Sequence, residues 1–259
     1  MEPPVGLIPA AGAGTRLGAR GSKELVPVAG PAGSEPEARP VILTLLGAMK
    51  AAGVETAYVV LRRSKTDIPE QLAKRPEATP RLNYIATSPT RSIPETLDRA
   101  RPFVSGHDVL LGFPDIVLQP ASAAAELLAA RRRTGDDVTL ALFPSDRPDK
   151  TDMVELDGER VRGFRVKPGP CELQHTWLLA TWDDCFTDFL AEYLRRHGGR
   201  PPPGSRLDEL QISQVLQAAL AEGLTIGARV FPEGRFIDVG TPEDLARAQG
   251  RAADRPPSR

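Results

Sequence analysis

The sequence has little cysteine, little histidine and no excess of either charge. Its 259 residues include two cysteines, Cys171 and Cys185, and three histidines. Two cysteines cannot form a disulfide framework, and their spacing from the histidines does not match a zinc site. With 33 Lys and Arg against 34 Asp and Glu, no global basic field would attract nucleic acid or a membrane surface. Any anion site must therefore be local.

Long apolar runs are also missing. No segment approaches the ~20 apolar residues that a membrane span needs, and the N-terminus lacks the cationic start and apolar core of a secretion signal. We therefore expect a cytoplasmic protein with no membrane or nucleic-acid partner. The length fits one large α/β domain. We predict a single domain over residues 1–250 and a disordered tail over residues 251–259.

Apolar strands alternate with amphipathic helices over much of the chain, which is typical of an α/β sheet covered on both faces. The predicted strands are residues 5–9, 54–61, 82–86, 108–111, 138–143, 224–230 and 236–239. The predicted helices contain residues 41–49, 93–97, 121–133, 186–194 and 212–220. Asp157-Gly158 lies between two apolar runs and predicts a hairpin over residues 153–166.

A glycine-rich stretch, LIPAAGAGTRLGARGSKELVPVAG, follows the first predicted strand. Glycine lets backbone N–H groups approach a phosphate closely. The spacing of Gly12, Gly14 and Gly18 is G-x-G-x-x-x-G rather than the dinucleotide pattern G-x-G-x-x-G, and the next predicted strand ends on Leu61-Arg62-Arg63 without an acidic residue. A nicotinamide-dependent oxidoreductase is therefore disfavoured.

The stretch could also be a Walker loop or a purely structural turn. A Walker loop needs Gly-Lys-Ser/Thr at the helix start, where this chain has Gly14-Thr15-Arg16. A purely structural turn stays open, although the clustered charges of Arg16 and Lys23 would repel each other unless an anion offsets them. The composition of the stretch thus favours a phosphate cradle of another kind.

Residues 10–17, AAGAGTRL, followed by residues 23–28, KELVPV, resemble the signature of sugar-1-phosphate nucleotidyltransferases, of the kind that includes glucose-1-phosphate thymidylyltransferases and uridylyltransferases. The resemblance spans nearly the whole chain. Its other matches are RPVI at 39–42, GFPD at 112–115, VKP at 166–168 and FIDVGTPE at 236–243. It implies a Rossmann-like three-layer α/β/α sandwich with a mixed, mostly parallel sheet, of the nucleotide-diphospho-sugar transferase type.

The resemblance also implies the reaction. A sugar 1-phosphate attacks the α-phosphorus of a nucleoside triphosphate, pyrophosphate leaves, and a nucleotide sugar forms. Asp115 and Asp238 would hold Mg²⁺, a hard cation that prefers carboxylate, phosphate and water oxygens. Without the resemblance, Asp115 reads as a turn residue and Asp238 as a helix cap.

Cationic side chains would hold the phosphates. Arg16 would clamp the departing pyrophosphate, Lys23 would lie near the α-phosphate, and Lys167 would bind the sugar phosphate. On local sequence alone, Lys167 reads as a solvated lysine at a strand end. The backbone of the loop would complete the substrate site through Ala11, Gly12, Ala13, Gly14 and Thr15.

Departures from the family pattern leave two alternatives open. Ile116 stands where a second acidic residue is expected, which favours a catalytically weak regulatory paralogue that binds nucleotide sugars. Val166 replaces a glutamate and residues 151–153 replace Tyr-Gly-Val, which favours an acceptor other than a sugar phosphate, such as phosphocholine. Trp177 and Trp182 could stack on a ligand or belong to the core. The sequence names neither the base nor the acceptor, and it leaves open whether the protein is a homo-oligomer.

Overall fold

A computed structural model describes residues 3–12, 21–28 and 39–240. Its strands are β1 (Val5–Ala10), β2 (Pro27–Val28), β3 (Arg39–Pro40), β4 (Thr56–Arg62), β5 (Arg81–Thr87), β6 (Val109–Gly112), β7 (Ile116–Gln119), β8 (Val138–Pro144), β9 (Met153–Asp157), β10 (Arg160–Arg165), β11 (His175–Trp182), β12 (Ile226–Val230) and β13 (Arg235–Asp238). Its α-helices are α1 (Ile42–Ala51), α2 (Asp67–Leu72), α3 (Ile93–Asp98), α4 (Arg101–Val104), α5 (Ala123–Thr134), α6 (Asp184–His197) and α7 (Ile212–Ala221). Short 3-10 turns lie at Lys23–Leu25 and Pro76–Ala78.

Nine strands form the central sheet in the order β5-β4-β1-β6-β11-β8-β12-β10-β9. Strands β5, β4, β1 and β6 are mutually parallel, as are β8 and β12. Only β11 and β10 are antiparallel to both of their neighbours in this order. The sheet is therefore mixed, with most strands running in one direction, as predicted.

Helices cover both faces of the sheet. Consecutive residues of β1 point to opposite sides, so Leu7 joins the core beneath α3, α6 and α7, whereas Ile8 joins the core beneath α1, α2 and α5. Because both faces are covered, β1 is an almost uninterrupted apolar run. The predicted three-layer α/β/α sandwich is thereby confirmed.

A two-stranded ribbon lies outside the central sheet. Strand β7 begins directly after Asp115, and β13 ends at Asp238. The two strands are antiparallel, with Asp238 opposite Ile116. This ribbon brings a late segment of the chain back to the turn that follows β6.

Most capping and turn residues identified in the sequence lie at the ends of helices and strands that the structure contains. Ser92 caps α3 by accepting a hydrogen bond from the Glu95 backbone, and α6 ends at Gly198 in the left-handed conformation. Strand β11 was missed, although it lies in the middle of the sheet between β6 and β8. Both of its tryptophans are buried, Trp177 at 5% and Trp182 at 2% exposure, so the core interpretation of these residues is the correct one.

Two sequence predictions concern the extent of the domain. The predicted tail over residues 251–259 lies outside the described residues. A single domain over residues 1–250 stays a prediction. Within the described part of the chain, no helix combines the length and apolar character needed to span a bilayer.

Candidate active site

The turn after β6 and the ribbon bring the backbones of Asp115 and Asp238 close together. Asp115 follows β6 at the carboxyl edge of the sheet, where open α/β folds bind ligands. The Val239 backbone N–H donates to the Asp115 carbonyl oxygen at 2.8 Å, directly beyond the Asp238–Ile116 pair. Asp238 therefore reaches this edge on the ribbon rather than on a strand of the central sheet.

Lys23 interacts electrostatically with both of these acids. Its ammonium forms an ion pair with the Asp115 carboxylate. Burial lowers the pKa of Lys23, but the hydrogen bond and charge of Asp115 and the charges of Glu24 and Asp238 raise it, and the net pKa lies above its ordinary value. The structure thus brings Lys23, Asp115 and Asp238 into one cluster, whose positive member stays charged at neutral pH.

The glycine-rich loop begins beside this cluster. Ala11 is buried, whereas Gly12 is exposed. A Cβ atom built on Gly12 would meet no atom within 4 Å and its φ is not in the left-handed region, so neither packing nor backbone strain requires glycine there. A bare backbone in open space leaves room for a ligand. Ala13, Gly14, Thr15 and Arg16 lie outside the described residues.

Residues 62–67, which we call the clasp segment, hold the entry of the loop. Lys65 Nζ donates to the Ala10 carbonyl oxygen at 2.9 Å, and Arg62 Nε donates to the Ala11 carbonyl oxygen at 2.6 Å. Because these carbonyls are occupied by the clasp segment, the start of the loop has a fixed direction as it leaves β1.

The clasp segment also holds the exit of the loop. The Ser22 backbone N–H and hydroxyl donate to Asp67 at 2.8 and 2.7 Å, and Lys65 Nζ donates to Glu24 Oε1 at 2.7 Å. Burial raises the pKa of Asp67, but the bonds from Ser22 lower it, and the net pKa is below its ordinary value. A cavity of about 250 Å³ separates the clasp segment from Gly12.

Sequence reasoning missed the clasp segment. The sequence indicated only that Arg62 stands at the end of a predicted strand where a dinucleotide-binding protein would have an acidic residue. Nothing in the local pattern of Lys65 distinguishes it from a solvated lysine, since its partners Glu24 and Ala10 are 41 and 55 residues away.

Lys167 lies in the turn after β10 and is exposed. Its φ is +42°, in the left-handed region, and its Nζ donates to Gln211 Oε1 at 3.3 Å. A non-glycine residue in this conformation costs about 1–3 kcal/mol and persists only where its surroundings impose it. The backbone of Lys167 is therefore held in place by its neighbours rather than free at a strand end.

A second acidic group lies at the opposite edge of the sheet. Asp137, Asp183 and Cys185 bring potential metal-ligand atoms within 4.8 Å of one another. Asp137 already accepts hydrogen bonds from Thr225, and Asp183 pairs with Arg131. This group is separate from the predicted metal residues Asp115 and Asp238.

Comparison with solved structures shows the same fold. A protein of Bacillus anthracis assigned as a glucose-1-phosphate thymidylyltransferase, in complex with sucrose, has a TM-score of 0.78 and 17% identity over 97% of both chains. A UDP-glucose pyrophosphorylase with bound UDP-glucose has a TM-score of 0.78 and 16% identity over 96% of this chain and 98% of that one. The inositol-1-phosphate CTP transferase of T. maritima has a TM-score of 0.70 and 16% identity over 95% of both chains.

Sequence comparison extends beyond the fold. No curated protein matches the chain significantly. The family model of the MobA-like NTP transferase domain matches residues 6–203, which include the glycine-rich loop, Lys23, Asp115 and Lys167. The chain therefore belongs to the MobA-like NTP transferase family and is a nucleotidyltransferase.

Proposed function

We propose that the protein transfers a nucleoside monophosphate from a nucleoside triphosphate to a sugar 1-phosphate and releases pyrophosphate. An oxygen of the acceptor phosphate forms a bond to the α-phosphorus, and the bond from that phosphorus to the pyrophosphate oxygen breaks. The observation that carries the proposal is the cluster of Lys23, Asp115 and Asp238 beside the entry of the glycine-rich loop.

The two carboxylates fit a divalent cation. Asp115 and Asp238 offer hard oxygen donors at one edge of the fold, which is the ligand type that Mg²⁺ prefers. Bound Mg²⁺ would neutralise phosphate charge during transfer. We propose these two residues as its protein ligands.

Fixed cations and backbone donors would position the triphosphate. Lys23 is held by Asp115 at the edge of the cluster, where its ammonium can turn to the α-phosphate. Arg16 would bind the departing pyrophosphate, and the backbone of Ala11 through Thr15 would line the phosphates. The clasp segment supports this proposal because it fixes both ends of the loop before substrate binds.

Lys167 would bind the acceptor phosphate. Its exposed ammonium and imposed backbone conformation suit a residue that must present a charge in one direction. We propose it as the cation that binds the acceptor phosphate, whereas Arg16 and Lys23 would bind the triphosphate.

A non-sugar acceptor is the second candidate. It is favoured by Val166 and by Asp152, which stand at positions where the sugar-binding relatives resembled by this chain carry a glutamate and a glycine. The regulatory alternative is favoured only by Ile116, which packs as a partly buried apolar residue in the core beneath α1 and α5.

A panel of substrates distinguishes a sugar 1-phosphate transferase from a transferase with a non-sugar acceptor and from a regulatory protein. Purified protein with Mg²⁺ is given each nucleoside triphosphate with sugar 1-phosphates, polyol phosphates and phosphocholine, and pyrophosphate release and the mass of the nucleotide product are measured. A nucleotide sugar supports the proposal. A product formed only from a non-sugar phosphate transfers the assignment to the second candidate. Nucleotide-sugar binding without any turnover supports the regulatory alternative.

A further inference from the structure

A buried hydrogen-bond chain lies near Lys167, the residue proposed to bind the acceptor phosphate. Trp177 Nε1 donates to Ser213 Oγ at 2.8 Å, and the Ser213 hydroxyl donates to Asp152 Oδ2 at 2.6 Å. We call these three residues the Asp152 relay. Trp177 is 5% exposed and Ser213 is fully buried. The second carboxylate oxygen, Asp152 Oδ1, is buried and has no hydrogen-bond partner among the described residues.

The Asp152 relay runs from the surroundings of Lys167 to those of Phe113. At one end, the Trp177 ring lies 5.6 Å from the ring of Phe113, which is two residues before Asp115. At the other end, Asp152 lies close to Lys167. Burial raises the pKa of Asp152, whereas the Ser213 hydroxyl and the charge and backbone N–H of Lys167 favour the ionised form.

The carboxylate is not needed to satisfy the tryptophan. The second buried tryptophan of β11, Trp182, donates its Nε1–H to the Thr187 hydroxyl at 3.0 Å, and no carboxylate takes part in that contact within the described residues. A hydroxyl alone is thus a sufficient partner for a buried indole N–H in this core. Asp152 adds a poorly solvated carboxyl group, whose net pKa is raised by burial, and such a group is unfavourable for folding unless it serves another purpose.

We infer that the purpose of Asp152 is to fix the turn that carries Lys167. Among the described residues it is the only non-glycine residue with a positive φ, and its ammonium is also held by Gln211, the residue that precedes α7. Ser213 lies two residues further along, in the first turn of α7. The turn that carries Lys167 is therefore fixed from two directions, by Gln211 at its ammonium and by Asp152 beside its backbone.

We propose that Asp152 is a positioning residue for the acceptor phosphate: it holds Lys167 in its imposed conformation and, through Ser213 and Trp177, sets the place of Lys167 relative to the Phe113–Asp115 turn. This inference rests on the proposed function, with Lys167 as the cation that binds the acceptor phosphate. It assigns Asp152 no contact with the reacting atoms. Its expected signature is a loss of acceptor affinity that leaves triphosphate affinity unchanged.

The test compares Asp152→Asn and Ser213→Ala with Thr187→Ala, using the acceptor that the wild-type protein turns over. Thr187→Ala is the matched control, since it removes the hydroxyl partner of the other buried tryptophan. We expect Asp152→Asn to raise KM for the acceptor about tenfold or more, with KM for the triphosphate within about twofold of wild type. Ser213→Ala should raise KM for the acceptor by less, and Thr187→Ala should change neither the acceptor KM nor the triphosphate KM.

A second measurement does not depend on turnover. Hydrogen exchange of a peptide covering residues 166–169 should be faster in Asp152→Asn and in Ser213→Ala than in wild type, and unchanged in Thr187→Ala. Ser213→Ala keeps the carboxylate and carries the test if Asp152→Asn does not fold.

The outcomes separate this inference from the function on which it rests. An unchanged acceptor KM in Asp152→Asn, or an equal rise in both KM values, would overturn the positioning role while leaving the transferase in place. Absence of turnover by the wild-type protein with every triphosphate and acceptor would overturn the proposed function, and the positioning role with it.

Discussion

The Lys65 ammonium lies 2.7 Å from Glu24 Oε1 inside the protein, where Glu24 is fully buried and the Lys65 side chain is 9% exposed. A buried ion pair recovers only part of the free energy that its desolvation costs, so its presence is weak grounds for stability. Its place is informative: both residues hold the glycine-rich loop, Lys65 through the Ala10 carbonyl and Glu24 through its position next to Lys23. We infer that this ion pair serves to position the glycine-rich loop.

This interpretation predicts a partly compensating double variant. Lys65→Met should lower the free energy of unfolding by about 3–5 kcal/mol, because it leaves the Glu24 carboxylate buried without its partner. Glu24→Leu combined with Lys65→Met should recover much of that loss, and urea denaturation measures both. Triphosphate affinity should stay reduced in the double variant, since the Ala10 carbonyl still lacks its donor.

An exposed ion pair provides the comparison. Arg101 and Asp188 pair on the surface, with 47% and 61% of their side chains exposed. Asp188→Asn should change the free energy of unfolding by less than about 1 kcal/mol and leave triphosphate affinity unchanged. Full triphosphate affinity in the Glu24→Leu/Lys65→Met protein would refute the role in loop geometry.

Asp115→Asn and Asp238→Asn should each lower turnover by about 10²-fold or more if the two carboxylates hold the metal during transfer. Mn²⁺ titration followed by electron paramagnetic resonance, with triphosphate present, should show weaker metal binding in both variants. Asp188→Asn again serves as the control because it removes a carboxylate far from the cluster. Wild-type turnover in purified Asp238→Asn protein would remove that residue from the proposed metal site.

The ion pair of Lys23 predicts a pH dependence at the alkaline end. The pKa of Lys23 in the folded protein is raised above its ordinary 10.5, so its contribution to stability is fully present below that pH and is lost as pH rises through the raised value. The difference in unfolding free energy between wild type and Lys23→Met should therefore be constant from neutral pH to about pH 10 and shrink above it. Urea denaturation series at several pH values measure it; a difference that fades already near neutral pH would contradict the assignment.

Asp152 predicts the opposite kind of dependence. Burial raises its pKa despite the bonds that favour its charge, so the folded protein holds this proton more tightly than the unfolded chain does. Stability should then fall as pH rises from the ordinary 3.8 through the raised pKa, and the penalty is complete above it. Asp152→Asn should abolish this fall, so its unfolding free energy should rise relative to wild type as pH increases from about 4 to neutral, as followed by thermal unfolding. A difference between the two proteins that does not change with pH would contradict the assignment.

The sequence predicted those features that have local signals. The Ser92 cap, the Asp157-Gly158 turn and the left-handed Gly198 each follow from a few adjacent residues. Asp115 and Asp238 were assigned from the family resemblance of their flanking motifs, and the ribbon brings their backbones together. Their role as metal ligands stays a prediction.

Features that depend on distant partners could not be predicted. Lys65 becomes a buried residue only because Glu24 and the Ala10 carbonyl meet it in space. Strand β11 was missed for a different reason: its apolar run, His175–Trp182, is visible in the sequence, but no strand was assigned to it even though a core role was considered for both of its tryptophans. The link from Asp152 to Trp177 through Ser213 spans 61 residues and has no short-range signature.

The ribbon formed by β7 and β13 has a consequence for truncation of the protein. All nine strands of the central sheet precede residue 231, yet Asp115 gains its neighbour only from residues 238 and 239. A chain that stops after β12 would therefore contain every strand of the sheet and still lack half of the acidic pair. Its sheet could form without the proposed metal site.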